Sequence, residues 1–140
     1  MAVVADASVV YKWLVVEHDS AAALALRAEH DVTAPDLMLM ECRNALLTKV
    51  RQKKLTREQA VYAESQIGIS EINIVPSAPL LSHAFALALQ MDGPLYDCVY
   101  LAAAIAADQM LVTADARFAA MAAKLPVGRN RVALLGTFTG

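Results

Sequence analysis

The sequence predicts an α/β fold: a mainly parallel central sheet flanked by helices, in three α/β/α layers. Three observations predict it. Short β-prone runs alternate with longer helical patterns along the whole chain. Hydrophobic residues make up 58% and charged residues 19%, which is richer in apolar groups than an average soluble domain and excludes disorder. Acids recur where predicted strands end and helices begin, and in a parallel sheet those points share one edge. A chain of 140 residues has room for one sizeable core, so residues 1–140 are read as a single domain.

Residues 2–5 form a strand that delivers Asp6 at its C-terminal end. Ser8 helps to start a helix over residues 9–15, which carries Tyr11 and Trp13. After a polar break at 17–20, residues 21–29 are rich in Ala and Leu and read as helix. A short strand over 31–34 is stopped by Pro35. Pro35 and Asp36 suit the start of a strong helix over 36–52, with Leu39, Cys42, Leu46 and Val50 as its apolar stripe. Lys53-Lys54-Leu55 links it to a helix opened by a Thr56–Gln59 capping box and ending near Gly68. Residues 72–75 are a strand ended by Pro76, Ser77 caps a helix reaching Met91, and Asp92-Gly93-Pro94 is a turn. Asp97 stands in the first turn of an apolar, Ala-rich helix whose only polar group up to Ala107 is the Tyr100 hydroxyl. Residues 110–113 form a strand with Asp115 at the following turn. Residues 118–125 are a last helix stopped by Pro126, and 131–135 a terminal strand.

Composition narrows the function. A net charge of −2 gives no global basic field, so any nucleic-acid contact must come from local patches. Cys42 and Cys98 form no CxxC and have no His at metal spacing, and they read as reduced core thiols. The opening MAVVADASVV lacks a basic region and a long apolar run, so no signal peptide is expected. No apolar run approaches the ~20 residues of a membrane span, and a cytoplasmic location is expected.

Of 14 acids, four are embedded in apolar sequence: Asp6 after AVVA, Glu41 after LMLM, Asp97 before CVYLAAAIAA and Asp115 after MLVTA. Each alone reads as a helix cap or a hydrogen-bonded turn. Four ionised carboxylates at one edge repel unless a cation neutralises them, and oxygen-only ligands suit Mg²⁺ or Mn²⁺. Asp108 lies 11 residues after Asp97, about 16 Å along a helix, too far to share the site. Asp36 neutralises a helix dipole. Asn44 shares the face of Glu41 and could orient substrate. The Ser8 and Thr113 hydroxyls are candidates for holding the carboxylates from behind. Basic residues cluster at Lys49, Arg51, Lys53, Lys54 and Arg57. They suit either a helix C-terminus or phosphate contact, and Arg43, Arg117, Arg129 and Arg131 are further single candidates. His18, His30 and His83 show no partner spacing.

The stretches VADASVVYKWL, PDLMLMECRNALLTK and LYDCVYLAAAIAADQMLVTADARF together resemble a PIN domain, specifically a VapC-type toxin of a toxin–antitoxin pair. The likeness spans nearly the whole chain in order. It implies a PIN-like parallel sheet flanked by helices, Mg²⁺ or Mn²⁺, endoribonuclease activity, homodimerisation and inhibition by a small cognate antitoxin. Carried over by residue, Asp6, Glu41, Asp97 and Asp115 match the acidic quartet expected to ligate metal, and Thr113 its accessory hydroxyl. Arg117, Phe118 and Ala119 follow Asp115, so a fifth acid seen in some relatives is absent here. Arg43, Lys49, Arg51 and Lys53 are the RNA-contact candidates from the residue pattern alone. Two other readings stay open: a receiver-like Mg²⁺-binding signalling domain, for which Lys124-Leu125-Pro126 only approximates the required lysine, and a non-catalytic PIN-like binding protein.

Overall fold

Val3, Val4 and Ala5 are wholly buried, which puts the first strand in the middle of the molecule. In the computed structural model, which describes residues 1–138, β1 (Ala2–Ala5) is the central strand of a five-stranded sheet ordered β3-β2-β1-β4-β5. The other strands are β2 (Asp31–Pro35), β3 (Ile72–Val75), β4 (Met110–Thr113) and β5 (Val132–Leu134), and every pairing is parallel. The last two residues of the expected 1–140 domain lie outside the described residues. A continuous apolar run suits a strand buried on both faces; β1 is such a run, and β4 is one up to its last residue, Thr113.

Among the described residues the eight helices are α1 (Ala7–Leu14), α2 (Ser20–Glu29), α3 (Leu37–Arg51), α4 (Arg57–Ile67), α5 (Leu81–Met91), α6 (Leu95–Ala107), α7 (Ala116–Ala122) and α8 (Pro126–Arg129). α1 packs with α2, α3 and α4, while α5 packs on α6 and α6 lies along β1, β2 and β4. The chain builds outward from β1 to β2 and β3, then returns to the other side of β1 with β4 and β5. Right-handed crossovers therefore send the first group of helices to one face and α5–α6 to the other. The strand order reverses at the β1/β4 boundary, and a crevice opens at such a point outside the strand C-termini.

The core is made from both faces of the sheet. Leu101, Ala102, Ala104, Leu111 and Val112 are fully buried. The small alanine side chains let α6 approach the sheet closely, which sets where its first turn, with Asp97, ends up. Cys42 and Cys98 are free and buried, and burial pushes their thiols up to about 12 and about 11. No helix among the described residues is long and apolar enough to cross a membrane.

Some boundaries differ from expectation for local reasons. α1 begins at Ala7, and its cap is Asp6, not Ser8: the Asp6 carboxylate accepts from the Val9 amide. Ser77 does not cap the helix after it. Its hydroxyl instead accepts from the Leu37 amide at 3.1 Å, and its amide donates to Asp36 at 3.0 Å, tying the end of β3 to the start of α3. A single 3-10 turn (Ala78–Leu80) then precedes α5. α7 ends at Ala122, and Pro126 opens the short α8 rather than simply stopping a helix, because its fixed φ suits a first helical position.

Candidate active site

The four acids come from four different elements. Asp6 follows β1 and caps α1, and it is only 4% exposed. Asp115 follows β4 and caps α7, accepting from the Phe118 amide at 3.0 Å. β1 and β4 pair directly, so these two acids flank the crevice where the strand order reverses. Glu41 enters from the second turn of α3, and Asp97 from the first turn of α6. Each strand-end acid sits where it does because a capping carboxylate must stand just before its helix, at the strand's C-terminal end.

Electrostatics shows that the four are neighbours. Burial raises the Asp97 carboxyl to about 7, and the charges of Asp6, Asp115 and Glu41 push in the same direction. Burial likewise raises Asp6 to about 6. Hydrogen bonds from the Ser8 and Thr113 hydroxyls and the Val9 amide oppose that rise, and Glu41 adds to it. Glu41 is raised by burial and drawn back by the Tyr100 hydroxyl. No Lys or Arg ion pair relieves any of the four among the described residues.

The Ser8 and Thr113 hydroxyls lie beside the acids of β1 and β4. Ser8 donates to the Asp6 carboxylate and accepts from the Ala114 amide at 3.0 Å, so one side chain couples the ends of β1 and β4. Thr113 is fully buried, and its oxygen accepts from the Asp115 amide at 3.0 Å. Asn44 is exposed on α3. The residue missed by sequence reasoning is Tyr100, whose hydroxyl donates to Glu41 at 2.6 Å and thereby fixes the acid of α3 to α6. The signal was available: a lone phenol in an apolar helix must find a partner when buried, and Tyr100 is one helical turn from Asp97.

Other predicted contacts fall elsewhere. Arg43 is held by Glu64 at 2.8 Å and by the Leu39 carbonyl at 2.9 Å, so its guanidinium is occupied within the fold. Arg51 donates to Thr48. Lys49 and Lys53 lie 8 and 12 residues beyond Glu41, about 12 and 18 Å along the helix direction. Asp108 pairs with Arg131 at 3.0 Å at the far end of α6, consistent with its exclusion on distance. Lys124 lies in the turn after α7, not at a strand end.

Asp97 and Asp115 line a cavity of about 310 Å³ with Asp92, Pro94, Arg117 and Met121. A larger cleft of about 510 Å³ lies at the opposite, N-terminal edge of the sheet, lined by residues including Trp13, Arg27, His30 and Asp31. It holds none of the four acids.

The donor set fits a hard divalent cation in chemistry: carboxylate oxygens only, with Asp6 buried, Glu41 and Asp97 half-buried and Asp115 exposed, and no cationic side chain paired to them among the described residues. Among the described residues, no three His, Cys, Asp or Glu side chains stand together as a closed ligand cluster. The reason is visible in their partners. Asp6 and Asp115 point to their own helix amides and Glu41 to Tyr100.

A profile of the PIN domain family matches residues 3–124. A search of curated proteins found no match. Among solved structures, one from Pyrobaculum aerophilum is similar with a TM-score of 0.71 at 21% identity, covering 98% of this chain and 91% of that one. The toxin VapC20 of Mycobacterium tuberculosis, a Sarcin-Ricin loop cleaving toxin, gives 0.65 at 16% identity, covering 84% of this chain and 93% of that one. A toxin–antitoxin complex from Klebsiella pneumoniae gives 0.63 at 16% identity, covering 94% and 95%. The parallel sheet, the crevice at its reversal point and a family match across most of the sequence lead to one conclusion: this chain belongs to the PIN domain family.

Proposed function

We propose that this chain is a metal-dependent endoribonuclease, the toxin of a toxin–antitoxin pair, with residues 1–140 as one catalytic domain. The observation that carries the reading is Asp97: a carboxyl raised to about 7 by burial and by three neighbouring acids, without a cationic partner. Such an arrangement is costly to a fold and useful to a metal site. Family membership and the likeness in fold to a VapC toxin and to a toxin–antitoxin complex support it.

Asp6, Glu41, Asp97 and Asp115 would hold Mg²⁺ or Mn²⁺. When bound, the ion would supply Lewis-acid neutralisation of charge developing at the scissile phosphate. The chain's own groups prepare that site. Hydrogen bonds from Ser8 and Thr113 favour the ionised form of the Asp6 carboxylate against the burial that raises its pKa. Tyr100 keeps Glu41 aimed from α3 toward α6 by a bond that spans both faces of the crevice. The apolar walls of β1, β4 and α6 lower the local dielectric, so each charge in the crevice acts strongly on an RNA phosphate.

A small cognate antitoxin is the proposed protein partner, and a second copy of the chain the proposed oligomeric one. α5 carries no charged residue and exposes Leu81, Phe85 and Leu89 at four-residue spacing. Such a stripe can pair with itself across a two-fold axis without bringing like charges together. We place the protein in the cytoplasm, where its proposed substrate, RNA, is found.

The test is cleavage of RNA with Mg²⁺ or Mn²⁺ by wild type, Asp6→Asn and Asp97→Asn. Cleavage should fall at least a hundredfold in both folded variants, and undiminished cleavage in both would sink the assignment.

A further inference from the structure

Arg117 is the one cationic side chain lining the cavity that Asp97 and Asp115 open into. The other charged groups on that cavity, Asp92, Asp97 and Asp115, are all acids. Among the described residues Arg117 takes part in no ion pair, although these acids line the same 310 Å³ space. It is exposed, on the first turn of α7, two residues beyond Asp115. The other arginines near predicted contacts are already engaged: Arg43 by Glu64 and Arg131 by Asp108.

A guanidinium lining the same cavity as three carboxylates would gain from pairing with them, and among the described residues it forms no such pair. Its five donors are left free for a ligand. The ligand that suits a planar fork beside a phosphoester-cleaving site is another phosphate. The cavity wall is otherwise acidic, so an anionic nucleic-acid strand running past Asp97 and Asp115 has no other side-chain counter-charge there. The turn at Asp92-Gly93-Pro94 closes the opposite wall, with Asp92 in the left-handed region at φ 51°. Gly93 lies against Met121 so tightly that an added Cβ would come within 2.6 Å of its sulfur. The space is thus bounded on both sides, and its volume is at the lower end for a small-ligand cleft.

Building on the ribonuclease reading, we propose that Arg117 is a substrate-positioning residue that grips a backbone phosphate of single-stranded RNA neighbouring the one cleaved. The cavity between the 92–94 turn and α7 is then the path by which the strand leaves the acidic crevice.

The experiment uses the full chain with a labelled random-sequence single-stranded RNA 20-mer, without added divalent metal. Binding is followed by fluorescence anisotropy from 50 to 250 mM salt for wild type, Arg117→Ala and Arg117→Lys. Loss of one single-strand phosphate contact lowers the slope of log affinity against log salt by about 0.7. Arg117→Ala should show that drop and, in a separate cleavage assay with Mg²⁺ or Mn²⁺ present, a KM raised about tenfold with kcat changed far less, while Arg117→Lys retains the wild-type salt slope. A role in the fold alone would move the unfolding midpoint and leave the salt slope unchanged, and that outcome overturns the proposal. So does a slope, affinity and KM for Arg117→Ala equal to wild type in a protein that cleaves RNA. If wild type neither binds nor cleaves RNA, the ribonuclease reading itself has failed, and this one with it.

Discussion

Asp6 shows at the scale of one residue how this fold is arranged for chemistry at a cost in stability. Its carboxyl rises from 3.8 to about 6 because it is buried. Below about pH 4 folded and unfolded chains both hold the proton, so the residue costs nothing there. Between about 4 and 6 the unfolded chain releases its proton first, and the metal-free protein loses stability as pH rises. Above about 6 the penalty is complete, about 3 kcal/mol. Urea unfolding in EDTA from pH 4 to 7 should therefore show Asp6→Asn gaining on wild type as pH rises; parallel curves would contradict the burial argument. The same acids make a second prediction. Mg²⁺ or Mn²⁺ added to stripped protein should raise the unfolding midpoint more at pH 8 than at pH 5, since protons compete for the carboxylates. Asp97→Asn should abolish most of that gain in a thermal-shift measurement. Tyr100 adds a third effect. Tyr100→Phe leaves the partly buried Glu41 without its donor, which should cost about 1–3 kcal/mol at neutral pH and lower RNA cleavage, both measurable on the purified variant.

Among elements, α6 decides the geometry of the site. Its alanines at 102–104 are buried, and its N-terminal turn carries Asp97 while Tyr100 reaches to α3. Ala104→Leu would push the helix off the sheet. It should cost about 1–3 kcal/mol in chemical unfolding and reduce cleavage beyond what the stability loss explains, because Asp97 moves with the helix. The alternating pattern, the turn at 92–94 and the capping box at Thr56–Gln59 were all readable along the chain, and the capping box is formed in full. They are local events within one or two turns of backbone. The Ser77 cap failed for the opposite reason. Its hydroxyl was claimed by Leu37, 40 residues away, which no local pattern contains.

For the whole molecule, the prediction concerns the apolar stripe on α5. Phe85 is 60% exposed on a helix without charge. Light scattering after size exclusion should give twice the chain mass for wild type and the monomer mass for Phe85→Asp; a monomeric wild type at micromolar concentration would refute the dimer. The strand order β3-β2-β1-β4-β5 also belongs to this scale, since it puts Asp6 and Asp115 beside each other although 109 residues separate them.

The sequence by itself determined the α/β class, nearly all of the elements and the four acids that stand out from their apolar surroundings, because periodicity and punctuation are set by near neighbours. Only the tertiary structure decided who touches whom: Ser8 on Ala114 across 106 positions, Tyr100 on Glu41 across 59, and Arg43 on Glu64, while Arg117 joins no ion pair among the described residues. Those pairings depend on how the sheet reverses at β1 and how closely α6 sits on it. Both are settled by packing among all the elements at once, and no single stretch of the chain contains that information.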